Sequence, residues 1–268
     1  MVDLEGPSPT QDTFFPAIAE FKSTPDGEDP INWLIQNIPE YRSGSPDEPG
    51  EGYTTFEEVC ASNIKNINFN GSIGSYTIFR YLSEEYKEKE AYVNGDFEQV
   101  HLRERIPVNI FWIDNIVLFQ GSKTSVPPAR NRLQAALLDY LRMRPLKLNP
   151  GIYRDLENLP RKHTHGIEVE SIPSLSAESV SENVSKVSLD GNINSSSLKD
   201  YFPQHGKVSW LISNFRFYDY RIKVGISEDL IHVYSLTHLR RSIGEEEKNI
   251  VKMSFMKRLV EMAQSGSN

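Results

Sequence analysis

Two stretches of the chain alternate apolar and polar residues around a short polar turn, and each is followed by a helical pattern. In the first, Val108, Ile110 and Trp112 alternate up to Asp114-Asn115, and Ile116, Leu118 and Gln120 continue with one parity. In the second, Tyr220, Ile222, Val224 and Ile226 lead into Ser227-Glu228-Asp229, after which Leu230, His232 and Tyr234 share a side. Alternation of period two around such a turn predicts an antiparallel hairpin. Behind the first hairpin, Pro127-Pro128 opens a helix to about Arg142, with Leu133, Ala136, Leu137, Tyr140 and Leu141 on its core side. Behind the second, residues 244–262 predict a helix lined by Ile250, Val251, Phe255, Leu259 and Met262. Glu245, Glu246 and Glu247 fall in its first turn, where the macrodipole favours negative charge.

The repetition points to an α+β fold class with two mixed modules, each an antiparallel hairpin followed by a C-terminal helix. The expected organisation is an acidic N-terminal arm over 1–52, a first α/β module over 53–160, a linker or long loop over 161–185 and a second α/β module over 186–264. In the first module Thr54 or Thr55 caps a short helix through Cys60, with Glu57 and Glu58 in its first turn. Asn66 to Phe69 reads as a strand. Ser75 to Lys89 reads as a helix carrying Ile78, Phe79, Leu82 and Tyr86. Phe97 to Leu102 and Ile106 to Ile113 read as strands, and Pro107 asks for an edge or a strand start. Ser171 to Ser185, serine-rich with Pro173 and several acids, has the composition of a linker.

The second module supplies a strand at Lys186 to Leu189, a helix from Ser195 to about Phe202 and a strand at Lys207 to Ile212, ahead of its hairpin and final helix. This order looks like a ferredoxin-like or RNA-recognition-motif plan, and Leu198 to Val208 is similar to that motif's first helix and following turn. The motif stacks bases on aromatics of two central strands. Here Ser188 stands at the aromatic position of the first strand, and Phe215 to Gly225 holds no basic-Gly-aromatic signature. The resemblance therefore implies the fold alone.

In the arm, Asp29 is an N-cap before Pro30 at the first helical position, and Pro39 closes the other end. Ile31, Leu34, Ile35 and Ile38 then share one side. So short a helix is marginal alone and must dock. Trp33, Leu34, Ile35 and Ile38 are the expected contacts, with Trp33 as anchor in a helix-in-groove mode. The groove belongs to a partner protein subunit or to the chain's own modules.

Charge changes the picture more than composition does. The chain carries a net charge of −8, yet residues 1–58 hold thirteen acidic and two basic residues. Nine basic residues fall between Lys123 and Lys162, among them Arg130, Arg132, Arg142, Arg144, Arg161 and Lys162. Such asymmetry suggests polyanion contact, with nucleic acid as partner, or neutralisation of one segment by the other. On a helix Arg142 and Arg144 point apart, so at most part of the cluster forms one patch. A pI near 5.4 argues against a surface wholly tuned to nucleic acid. No run approaches the roughly 18 apolar residues of a membrane span, the first residues lack a secretory pattern, and Cys60 is the single cysteine. A reducing, cytoplasmic location with no membrane partner is the expectation, with Cys60 a small buried hydrophobe.

Catalytic equipment is sparse. Glu20-Phe21-Lys22 resembles the Glu-x-Lys strand of restriction-endonuclease-like nucleases, where a carboxylate holds magnesium and the lysine orients water. The resemblance covers a tripeptide, preceded only by Asp3, Glu5 and Asp12. His163-Thr164-His165 has the form of an imidazole pair, but only Glu168 and Glu170 lie near and a solvated basic loop accounts for it. No nucleophile elbow, phosphate loop or dinucleotide fingerprint occurs, so no catalytic residue, metal site or cofactor is assigned. Trp210, Phe215, Phe217, Tyr218 and Tyr220 interleave with Arg216 and Arg221, the composition of a stacking platform or of a half-buried strand against the last helix. The leading expectation is a non-catalytic interaction or adaptor protein of an intracellular assembly. The alternatives are a nucleic-acid-binding accessory protein using segment 123–165 and a divergent metal-dependent nuclease.

Overall fold

A computed structural model describes residues 11–22, 30–64, 72–93, 96–137, 139–152, 156, 166–181, 184–191, 193 and 207–265. In chain order the elements are β1 (Thr13–Phe21), α1 (Pro30–Asn37), β2 (Glu51–Cys60), β3 (Ser75–Val93), β4 (Asp96–Ile113), β5 (Ile116–Gln120), α2 (Val126–Ala136), β6 (Leu141–Pro145), β7 (Ile167–Ser181), β8 (Val184–Asp190), β9 (Lys207–Phe217), β10 (Tyr220–Ser227), β11 (Ile231–His238) and α3 (Glu245–Ser265). All eleven strands among the described residues belong to one antiparallel sheet, ordered β2-β3-β4-β5-β1-β11-β10-β9-β7-β8, with β6 also beside β1. The described chain is therefore mainly β, with three α-helices among the described residues, and the two α+β modules and the ferredoxin-like plan are both corrected.

The two hairpins exist, and both feed this single sheet. β4 and β5 turn at Asp114-Asn115, with Asp114 at φ 53°, the left-handed value a two-residue hairpin turn requires. β10 and β11 pair from Ile226↔Ile231 outward. What is not repeated is the side taken by the helices. Direct register partners in an antiparallel ladder share a face, which carries Phe111, Leu118, Phe14, Ile231 and Ile226 on one side. There α3 packs through Ile250, Val251, Phe255, Met256 and Leu259. On the opposite face Phe79, Ile110, Trp112, Val117 and Ala17 meet α2 (Val126, Ala129, Leu133) and α1 (Trp33, Leu34, Ile38). A smaller cluster of Leu175, Ala177, Val208 and Leu211 lies under β7–β9.

β1, read from sequence as part of an arm, is the central strand. It pairs with β5 along one edge, and along the other with β11 at Thr13–Phe14 and β6 at Ala17–Phe21. Pro16 sits between those last two partners. Its carbonyl accepts Leu146 N–H at 3.0 Å on that side, so the missing donor falls in the gap where one neighbour ends and the next begins.

Other expectations change for local reasons. Residues 51–60 form strand β2, whose bulge between Thr54 and Glu57 breaks the alternation. The expected helix from Ser75 to Lys89 is β3: with helices on both faces of the sheet, Ile78, Phe79, Tyr81 and Leu82 are all buried, and the period of two is hidden. The two strands expected at 97–102 and 106–113 are one strand, β4. Pro107 lies where β4 has β3 but not β5 beside it, an edge position as its chemistry asks. The serine-rich stretch expected as a connection is largely β7, which has three register irregularities against β9. α2 ends at Ala136, so Arg142 and Arg144 lie on a strand. The strand expected at 66–69 and the helix at 195–202 lie outside the described residues. No helix among the described residues is long and apolar enough to cross a membrane.

Candidate binding surfaces

Two features carry exposed side chains of the types that bind. The first is the hairpin of β3 and β4. β2 accompanies β3 only to Ser83, and β5 reaches β4 only at Asn109. From Glu85↔Glu104 to Val93↔Asp96 nine residue pairs continue as a bare two-stranded arm, roughly 30 Å at about 3.3 Å per residue. At its end Tyr92 and Phe97 are register partners whose rings meet edge-on at 5.1 Å, and they are 68% and 66% exposed. Leu102 is exposed as well. Glu90 lies on the same face of the ribbon as the aromatic pair, and Asp96 and Glu98 flank Phe97 along the strand on the opposite face.

A bare two-stranded ribbon is marginally stable, and its root is fixed by a buried carboxylate. Glu84 receives the Tyr41 hydroxyl at 2.5 Å, the backbone N–H of Gly44 at 2.9 Å and of Gly50 at 3.0 Å, and the Tyr86 hydroxyl at 3.2 Å. Arg103 and Arg105 stand at 3.5 and 3.9 Å. Burial by itself would raise the Glu84 pKa; the donors from Tyr41, Gly44, Gly50 and Tyr86 outweigh it and hold the carboxyl at about 2. The same contact, after burial, pushes the Tyr41 phenol up. Loop 40–50 is thus folded onto the arm's base, where Glu40 and Arg42 bridge to β2.

The second feature is the part of the sheet face left open by α1 and α2. Across β11, β10 and β9 this face presents His232, Tyr234, Lys223, Trp210 and Ile212, with Thr13 of β1 at its border. Tyr234 is 47% exposed. Its ring meets His232 at 4.5 Å, and the Lys223 ammonium lies 5.5 Å from its centroid. His232 Nδ1 is 2.7 Å from Thr13 Oγ1, which leaves Nε2 for the face. The benzo side of the Trp210 indole closes over Gly225: a Cβ there would stand 2.4 Å from Cζ2, so only glycine lets the ring approach. Lys123, Lys186, Ser209, Ser227 and Glu178 complete a recess of about 550 Å³.

The aromatic run read from the sequence is split by strand parity. Phe215 and Phe217 are buried against Phe255 of α3, and Tyr220 bonds Glu247 in the same layer. Trp210 and Arg216 lie on the open side. His232 and Tyr234 were missed as surface residues. A β-bulge at Lys223/Val224 places Tyr234 out of step with its hairpin partners, and no sequence signal marks it.

Of the arm residues expected to contact a partner, Trp33, Leu34 and Ile38 are buried in the chain's own core, Trp33 ring to ring with Tyr140 at 4.4 Å, and Ile35 is exposed. The groove is thus the chain's own sheet. The arginines do not converge. Arg130 is half-buried and Arg132 pairs with Glu51 on α2's side. Arg142 and Arg144 share one face of β6, contrary to the helical expectation, and Arg144 pairs with Glu20. Their register partners on β1 place them on the face opposite Trp210. Lys147 pairs with Glu228. Arg161, Lys162, His163 and His165 lie outside the described residues. Glu20, the carboxylate of the nuclease-like tripeptide, is held by Arg144. Among the described residues no group of three His, Cys, Asp or Glu side chains converges as a metal site would.

No protein-family model matches the chain, and no curated protein matches it in sequence.

Proposed function

We propose that the protein is a non-catalytic interaction protein that joins an assembly by inserting the tip of its β3–β4 arm into a partner protein. The observation that carries this reading is the Tyr92–Phe97 pair, more than half exposed at the end of a ribbon whose only described neighbour, loop 40–50, covers its base. Exposed paired aromatics at a protruding tip are the side chains that dominate binding when a pocket desolvates them. The acids Glu90, Asp96 and Glu98 define the rest of the partner: an apolar pocket with a cationic rim. The Glu84 root supports the reading, because it pre-orders the arm and lowers the entropy lost on docking.

The nucleic-acid reading through segment 123–165 has less support. Arg132, Arg144 and Lys147 are each neutralised by a carboxylate of another element, and the β6 arginines face away from Lys123's side of the sheet.

The test compares the tagged full chain with its Tyr92→Ser/Phe97→Ser variant in nuclease-treated extracts of the native host, with crosslinks mapped from Lys87 and Lys89. The expected result is a partner crosslinked through the arm and lost from the variant, with unchanged melting because the substituted side chains are exposed. Recovery of the same crosslinked partners with both proteins would defeat the proposal.

A further inference from the structure

The open half of the sheet face has a composition the arm does not explain. It is built from adjacent strands about 4.8 Å apart and carries Tyr234, 47% exposed, and the part-exposed Trp210. The Trp210 indole is backed by Gly225, and Tyr234 projects beside it from the bulge. Lysines come from three separate elements: Lys123 from the β5–α2 connection, Lys186 from β8 and Lys223 from β10. Asp229 stands 3.9 Å from Lys123, and Glu178 is the register partner of Lys186. Hydroxyls of Thr13, Ser209 and Ser227, with His232 Nε2, line the floor.

We propose that this face binds single-stranded nucleic acid, with bases stacked on Trp210 and Tyr234 and phosphates drawn to Lys123, Lys186 and Lys223. The charge decides the ligand class. Asp229 and Glu178 offset Lys123 and Lys186 only in part; an apolar peptide would add no counter-charge to the three ammonium groups, whereas a phosphate chain supplies one to each. The stacking decides the strand state: a duplex hides its base faces, while a single strand offers one per nucleotide to an exposed ring. The width of three strands suits two or three nucleotides, so the expected affinity is modest and tolerant of sequence. The inference is independent of the arm and of its partner.

The chain has three tryptophans, and Trp33 and Trp112 are 7% and 2% exposed, so quenching of emission by a ligand reports on Trp210. The full chain is titrated with oligothymidylate and oligouridylate of about ten nucleotides at low salt, and with labelled oligonucleotide followed by anisotropy. Saturable quenching is expected, with affinity falling as salt rises by counterion release. Tyr234→Ala and the double variant Lys123→Gln/Lys186→Gln should each weaken binding about tenfold or more, and the double variant should flatten the salt dependence. Gly225→Val, which forces the indole off the sheet, should abolish quenching; circular dichroism and melting of each variant separate this from misfolding. Any one of three results overturns the proposal: no anisotropy change at low salt, binding indifferent to all these variants, or duplex bound as tightly as single strand. Quenching that rises with protein concentration alone would assign the face to a second copy. Equal competition by polyglutamate would assign it to an acidic protein segment.

Discussion

Glu84 offers the most quantitative handle on the fold. Its side chain is 0% exposed, and its carboxyl is held at about 2 against an ordinary value of 4.5. At about 1.36 kcal/mol per pKa unit, that depression corresponds to about 3 kcal/mol favouring the folded state when the group is ionised. The sign follows from linkage. Because the folded pKa lies below the unfolded one, the contribution is complete above the unfolded value and is lost as pH falls through it towards about 2. Glu84→Gln removes the charge and places an NH₂ donor among the Tyr41, Gly44 and Gly50 donors. Urea unfolding at pH 7 should show a loss of about 3 kcal/mol. With a urea slope of about 3 kcal/mol/M for a chain of this size, the midpoint drops by roughly 1 M. The gap between the two proteins should shrink to about half by pH 3, because the wild type is by then losing its advantage. Equal midpoints at pH 7, or a gap that stays constant down to pH 3, would refute the assignment of the carboxylate as the arm's anchor.

Trp33→Ala should cost about 3 kcal/mol or more in the same assay, the range for emptying a core aromatic site, and an unchanged midpoint would remove α1 from the core. Ser254 is buried in α3, accepts Ile73 N–H at 3.0 Å and donates to Ile250 at 2.7 Å; Ser254→Ala should cost about 1–3 kcal/mol by orphaning that N–H, measured by thermal unfolding. Glu247 has its pKa lowered: burial alone would raise it, but Arg241 and Tyr220 outweigh that by hydrogen bonding, so Glu247→Gln should destabilise at neutral pH and progressively less as pH falls below the ordinary carboxylate range.

How much of this was readable in the sequence depended on what each strand faces. β5, β10 and β11 were found because their turns are short and polar, although β5 is buried on both faces and the bulge interrupts the alternation of β11. α1 and α3 were found from Pro30 and the Glu245–Glu247 turn. β3 was lost because both of its faces are buried, and the row Ile78, Phe79, Leu82, Tyr86 fits a helix as well as a doubly covered strand. β7 was lost to its serines. Ser176 packs by bonding Ser188 across the ladder at 2.8 Å, so a polar composition there is compatible with pairing. The candidate surfaces were half visible. Trp210 stood out by composition, but which of its neighbours shared its side required the parity of β9 and the bulge in β10–β11. Tyr92 and Phe97 looked like ordinary members of separate elements, and their meeting is a consequence of the β3–β4 register.

The position of β1 has a consequence for how the molecule assembles. Thr13 and His232 are neighbours in the sheet although 219 residues separate them, and β1 also takes its other partners from β5 and β6. The seam joining the two halves of the sheet is therefore among its least local contacts, and closing it must await the β10–β11 hairpin. Topologies dominated by distant pairings fold slowly. Until β11 arrives, Thr13–Phe14 of β1 is an unpaired edge in the middle of the future sheet, open to strands of other molecules. Crowded refolding should be most error-prone at this seam, and a polypeptide lacking β11 should aggregate rather than persist as half a protein.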